Sequence, residues 1–117
     1  MRTIIYHNPR CSKSRETLSF LRDRGIEPEI IDYLKTPPDA ATIADLIARL
    51  GIPARELLRK GEAPYRELRL DDPQKSDAEI IAAMAAHPVL IERPIVLVGK
   101  RAALGRPPEK VLEILSP

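Results

Sequence analysis

The spacing of apolar residues changes repeatedly along this 117-residue chain, and each change predicts an element. Thr3-Ile4-Ile5-Tyr6 is a short β-branched and aromatic run, closed by Asn8-Pro9, which interrupts a ladder and favours a turn; it reads as a first strand. From Ser12 the period lengthens. Ser14, Leu18, Leu21 and Gly25 mark one face of a helix that carries Arg22 and Arg24 in its last turn and stops at Gly25. Glu29-Ile30-Ile31-Asp32-Tyr33 predicts a second strand, and the strand-helix-strand order implies a parallel pair joined by a right-handed crossover.

Thr36-Pro37-Pro38-Asp39 predicts a helix start with proline in the first turn, followed by Ile43, Leu46, Ile47 and Leu50 at i, i+3, i+4 and i+7, and then Gly51. Pro53 to Leu58 and Ala63 to Leu68 read as short helical pieces separated by Arg59-Lys60-Gly61. Ser76-Asp77-Ala78-Glu79 has the form of a capping box, and Ile80, Ile81, Met84 and Ala85 continue that helix until His87-Pro88 breaks it. Ile95 to Val98, Gly99-Lys100 and Arg101 to Leu104 form a hairpin with a two-residue turn. Gly105-Arg106-Pro107-Pro108 opens a last helix through Val111, Leu112, Ile114 and Leu115. The summed order predicts an α/β chain: a single thioredoxin-like (glutaredoxin-like) domain over residues 1–117, with a mixed four-stranded sheet flanked by helices and a helical insert at about 36–86.

Composition narrows what such a domain can be. A mass of 13.1 kDa suits one core, and 44% apolar with 31% charged residues describes an ordinary soluble surface. No stretch approaches the roughly 20 apolar residues that span a bilayer, and Met1-Arg2 runs into a strand rather than a signal-peptide core, so a cytoplasmic protein with no membrane partner is expected. A net charge of +2 and only four aromatics, Tyr6, Phe20, Tyr33 and Tyr65, leave little for nucleic-acid binding. Arginine outnumbers lysine 13 to 6, through compositional bias or a need for planar oxyanion clamps.

The chain has one cysteine, Cys11, so no internal disulfide supports the fold, and the thiol is either a small buried hydrophobe or a reagent. It falls at the strand-to-helix corner in Tyr6-His7-Asn8-Pro9-Arg10-Cys11-Ser12-Lys13-Ser14-Arg15. At a helix N-terminus the first N–H groups lack internal partners and, with the macrodipole, favour an anion such as a thiolate. An ordinary thiol with a pKa near ~8.5 is only about 3% ionised at pH 7, so a reactive cysteine needs nearby cations as well. Ser14 occupies the second cysteine's place in a C-x-x-C pattern. Its hydroxyl is either a hydrogen-bond partner of the thiolate or an ordinary feature of the helix start. Late in the chain, Arg93-Pro94-Ile95-Val96 lies where thioredoxin-like folds place a cis-proline opposite such a corner; a cis Pro94 would bring Arg93 towards Cys11.

Five ordered stretches carry a family resemblance: Tyr6-His7-Asn8-Pro9, Cys11 with Ser14-Arg15, Leu57-Leu58-Arg59-Lys60, His87-Pro88 followed by Arg93-Pro94-Ile95-Val96, and Arg106-Pro107. On these the chain resembles the glutaredoxin-coupled arsenate reductases (ArsC-like) and their close relatives over essentially its whole length. The resemblance implies Cys11 as nucleophile, Arg59, Arg93 and Arg106 as oxyanion ligands, and His7 as a support for cysteine ionisation. Guanidinium forks match the oxygen geometry of a tetrahedral oxyanion, which agrees with that assignment. His7 can equally pack or cap a strand end; Lys13 can be a solvated helix-entry charge or can attract a thiol partner, and Arg15 can touch either ligand or acidic side chains. The chain departs from the family in carrying Ser12-Lys13 where Gly-Thr is common, and in ending at Pro117 without the longer tail of some members.

The activity implied is reduction of arsenate to arsenite through a Cys11 thiolate, with no bound cofactor, glutathione as co-substrate and glutaredoxin as partner. With no second cysteine the chain cannot close an internal redox cycle, so an external thiol is required. Two alternatives stand beside it: a glutathione-dependent thiol oxidoreductase with weak or no arsenate activity, and an RNA-polymerase-binding redox regulator, although regulators of that kind commonly switch through a C-x-x-C disulfide that Ser14 forbids. No metal site is expected, because Pro9 spoils a helical His7/Cys11 pair and His87 is isolated.

Overall fold

The computed structural model describes residues 2–115, so Met1, Ser116 and Pro117 of the expected 1–117 domain lie outside the described residues. Its elements run β1 (Thr3–His7), α1 (Ser12–Asp23), β2 (Glu29–Asp32), α2 (Ala40–Leu50), a tight helical turn at Ala54–Leu57, α3 (Ala63–Glu67) and α4 (Asp77–Ala86). A second tight turn at Pro88–Leu90, β3 (Ile95–Val98), β4 (Arg101–Leu104), a third turn at Pro108–Val111 and α5 (Leu112–Leu115) complete it. The chain divides into two compact units, one built from the segments up to Thr36 and from Arg93 onward, the other Pro37–Glu92. The expected helical insert is this second unit, extended to Glu92 because Leu58 bridges to Ile91 and the Arg59 N–H donates to the Leu90 carbonyl at 2.8 Å.

In the first unit the sheet order is β2-β1-β3-β4, with β1 parallel to β2 and the other two pairings antiparallel. This is the mixed four-stranded sheet flanked by helices that the element order predicts. β3 is a central strand, and its uninterrupted Ile-Val-Leu-Val run is buried throughout. Registers pair His7 with Asp32, Tyr6 with Ile95, and Ile95 with Leu104. The C-terminal ends of β1 and β4 and the N-terminal end of β3 therefore share one end of the sheet. Ile5, Leu18, Leu21, Val96, Val98, Ala103, Val111 and Ile114 form the core of this unit, with α1 contributing Leu18 and Leu21. Gly99-Lys100 makes the hairpin turn, with Gly99 at φ 61°, where a side chain would be strained.

Some boundaries differ from expectation for local reasons. β2 stops at Asp32 because its carbonyl accepts the Lys35 and Thr36 N–H groups, turning the chain before Tyr33. The α2 prolines precede the helix rather than occupying its first turn: Asp39 is the N-cap, and its carboxylate accepts the Thr42 N–H at 2.8 Å. The last helix begins as a tight turn from Pro108 and becomes α-helical only at Leu112. In the second unit Gly51 ends α2 in the left-handed region and Ser76 with Glu79 forms the expected capping box on α4. Arg55 ties down the segment between α3 and α4 by donating to the carbonyls of Leu70, Asp72 and Lys75 at 2.8, 2.7 and 2.9 Å. No described helix is long and apolar enough to cross a membrane.

Thr17 is buried on α1, and its hydroxyl lies 3.0 Å from the Lys13 carbonyl and 3.1 Å from the Gly105 carbonyl, 88 residues away in sequence. A Cβ on Gly105 would sit 2.5 Å from Thr17 Oγ1 and 2.9 Å from Pro94 Cγ. Gly105→Ala is therefore expected to cost about 1–3 kcal/mol through overpacking. Gly61→Ala, which meets nothing within 4 Å, is the control and should stay within about 0.5 kcal/mol. Urea unfolding of the two variants checks this, and equal midpoints would contradict it.

Candidate active site

Cys11 is the N-cap of α1, half-buried, with extended backbone angles of φ −94° and ψ 123° and no capping hydrogen bond from its side chain. The loop before it folds on Asn8. The Asn8 side-chain oxygen accepts the Arg10 N–H at 3.0 Å, and its carbonyl accepts the Cys11 N–H at 3.0 Å, which is the local turn that asparagine favours. Arg15 reaches back from the helix to donate to the Pro9 carbonyl at 2.9 Å, so its partner is backbone rather than an acidic side chain. The first helical hydrogen bond runs from the Arg15 N–H to the Cys11 carbonyl at 3.0 Å. The N–H groups of Ser12, Lys13 and Ser14 thus precede the ladder and form the donor-rich end beside the cysteine.

Ser14 is fully buried, and its hydroxyl is committed away from the sulfur: it lies 2.6 Å from His7 Nδ1 and accepts the Asn8 N–H at 3.0 Å. A buried hydroxyl proton needs an acceptor, and Nδ1 is the one in reach. This assigns the neutral His7 tautomer with its proton on Nε2. Burial holds His7 below the usual imidazole value, with Arg22 and Arg15 adding to the effect and Asp32 opposing it.

The Arg93–Pro94 peptide bond is cis, and so is Arg106–Pro107. Arg106 donates through Nη1 to the Arg93 carbonyl at 3.1 Å, and the Gly105 N–H donates to the Pro94 carbonyl at 2.9 Å. Arg93 buries Nε and Nη1, whereas Arg106 is exposed. His7, Ser14 and Cys11 are thus joined by one loop, Arg93 and Arg106 by direct contact, and both groups stand at the same end of the sheet. Arg59 lies in the second unit, with Nη1 3.7 Å from Glu62 and Nε 3.6 Å from Glu92. Lys13 pairs loosely with Glu16 at 3.9 Å. Sequence reasoning did not single out Asn8 or Thr17 as supports; the Asn-Pro dipeptide before the helix was the available signal for the first, and no local signal marks the second.

Residues 6–114 match the ArsC family. The chain belongs to that family. It is 56% identical over 112 residues to an Escherichia coli K12 protein described as the uncharacterized protein YfgD, covering 95% of this chain and 94% of that one. It is 50% identical over 111 residues to an Escherichia coli arsenate reductase, covering 95% of this chain and 79% of the reductase. The solved structure of an arsenate reductase from Vibrio cholerae superposes with a TM-score of 0.95 at 52% identity, covering 98% of both chains. The sheet with flanking helices is therefore the ArsC fold.

Because burial depresses the folded value of His7, the unfolded chain takes up the proton first as pH falls past about 6.5, and stability declines from there until the folded imidazole also protonates. Asp39 and Glu79 are also held below their usual values, chiefly by accepting the Thr42 and Ser76 backbone N–H groups, so their losses come at lower pH, below about 4.5. NMR titration of the His7 ring should give a midpoint below 6.5, and the stability loss between pH 7 and 5 should be smaller in His7→Gln. A His7 midpoint above 6.5 would contradict the buried neutral imidazole.

Proposed function

We propose that this ArsC-family chain reduces arsenate to arsenite through Cys11, with glutathione and glutaredoxin supplying the electrons. The observation that carries the reading is the half-buried Cys11 at the N-cap of α1, at the sheet end where Arg106 meets Arg93. Relatives described as arsenate reductases, at 46–50% identity over most of this chain, support it.

The Cys11 sulfur attacks arsenic: a sulfur–arsenic bond forms, an arsenic–oxygen bond breaks, and that oxygen leaves as water. Arsenic is still pentavalent at this stage. The two-electron reduction comes from two external thiols, which end joined as a disulfide while arsenite is released; one arsenate and two thiols give one arsenite, one disulfide and one water. The first-turn N–H groups of α1 and the Arg93 and Arg106 guanidiniums stabilise the oxyanion as charge redistributes onto the displaced oxygen. Arg59, assigned the same role by the family resemblance, faces the Glu62 and Glu92 carboxylates within the second unit. His7 and Ser14 act through the loop, as positioning residues. The reaction needs no bound cofactor, and its dependence on glutathione suits the cytoplasm.

Cys11→Ser is expected to lose more than roughly 10³-fold of arsenite formation with its fold intact. Arg106→Ala should raise the KM for arsenate by roughly 10-fold or more, the loss of one charge-assisted contact. In the wild type, arsenate should slow alkylation of Cys11 by iodoacetamide. Turnover by Cys11→Ser, or alkylation indifferent to arsenate, would overturn the reading.

A further inference from the structure

Beside the cysteine loop, on the β2 side, lies a hollow of about 310 Å³ lined by Asn8, Pro9, Arg10, Asp32, Leu34 and Lys35. That volume is at the lower end for small-molecule sites. Arg10 and Lys35 are exposed, and among the described residues neither takes part in an ion pair. The single acid of the lining, Asp32, already accepts the Leu34 N–H at 3.2 Å. Pro9 and the exposed Leu34 supply an apolar wall. The hollow therefore offers two uncommitted cations against one carboxylate, along the loop that leads into Cys11.

The groove on the other side of the corner has the opposite balance. It is larger, about 740 Å³, and its charged lining is Lys13, Arg15, Glu16, Asp23 and Glu109. Lys13 there is paired with Glu16, and Arg15 is committed to the Pro9 carbonyl. An anionic ligand finds acids in excess on that side and cations in excess on this one.

We propose that the Arg10/Lys35 hollow binds the glycyl carboxylate of glutathione and so presents its thiol to Cys11. This rests on the reading that Cys11 turns over with an external thiol. The spacing matches on both sides: in glutathione the thiol and the terminal carboxylate sit on adjacent residues, and in the protein Cys11 and Arg10 are adjacent, with Cα atoms about 3.8 Å apart. A carboxylate held in the hollow keeps the thiol of the neighbouring residue beside the Asn8-Pro9-Arg10 loop that leads into Cys11. A neutral thiol has no such anchor.

The test compares glutathione with its glycyl monoethyl ester, which carries the same thiol without that charge, on the wild type, Arg10→Glu, Lys35→Glu and the double variant. With saturating glutaredoxin and arsenate, the wild type is expected to favour glutathione over the ester by roughly 5-fold in kcat/KM, the span of an exposed charge pair. Each charge reversal should bring that ratio towards one. A wild-type ratio of one, or a ratio unchanged in both single variants, would overturn the proposal. A second measurement does not depend on arsenate turnover: glutathione titrated into the protein should shift the amide signals of Asn8, Arg10 and Lys35 saturably, and less in the double variant. Absence of those shifts overturns the glutathione site whatever the arsenate result, whereas shifts without any arsenate effect on Cys11 alkylation would sustain the site and overturn only the oxyanion reading.

Discussion

A buried hydroxyl joins the end of β1 to the start of α1, and the geometry of the Cys11 corner depends on it. Ser14 Oγ takes the Asn8 N–H on one side and faces His7 Nδ1 at 2.6 Å on the other, with no part of the residue exposed. Removing any one of the three leaves another polar group buried without its partner, at about 1–3 kcal/mol. The arrangement also demands a neutral imidazole, because a protonated Nδ1 would be a second donor and would leave the Ser14 proton without an acceptor. Burial enforces that state. Asn8, held in this way, fixes the turn that delivers the Cys11 N–H to its carbonyl, and Arg15 clamps Pro9 from the helix side. Cys11 thus stands on a hydrogen-bonded turn while its own side chain caps nothing.

An oxyanion site asks for cations close together, and unliganded cations repel. In the first unit a backbone dipole takes part: the Arg93 carbonyl accepts a hydrogen bond from the Arg106 guanidinium. The contact holds Arg106 Nη1 against the backbone just before the cis Pro94. Arg59, in the second unit, instead faces two carboxylates at 3.6 and 3.7 Å, a loose pairing of partly exposed groups. The contact between Arg106 and the Arg93 carbonyl lies beside the fit of Gly105 against Thr17 and Pro94, so packing at a glycine bears on where Arg106 stands.

What could be read from the chain alone was whatever its local chemistry determines. The strands, the parallel crossover, the Gly99-Lys100 turn and the Ser76/Glu79 box each rest on residues within a few positions of one another. Ser14 was harder, because two readings of it competed: its C-x-x-S spacing pointed it at the thiol, while its place with Leu18 and Leu21 on the apolar face of α1 pointed it inward. In the structure the inward direction prevails, and the buried imidazole is what it meets there. The proline pair before α2 misled in a similar way, since Asp39 is the stronger N-cap and moves the helix start past them. Thr17 with Gly105, and Arg55 with the carbonyls of residues 70–75, join segments far apart in sequence and leave no periodic trace.

The single cysteine places opposing demands on its own exposure. Burying the sulfur would strengthen every electrostatic contact to it but would exclude the second thiol on which turnover depends. A half-buried cysteine at an N-cap meets both, with the helix end on one side and solvent on the other. With one cysteine, the chain holds no second thiol to resolve a Cys11 adduct. The rate at which a thiol arrives from solution then becomes part of the enzyme's design. Charge next to the nucleophile is the means a small open site has of raising that rate, which gives the uncommitted Arg10 and Lys35 a reason to stand where a solvated surface would otherwise pair them.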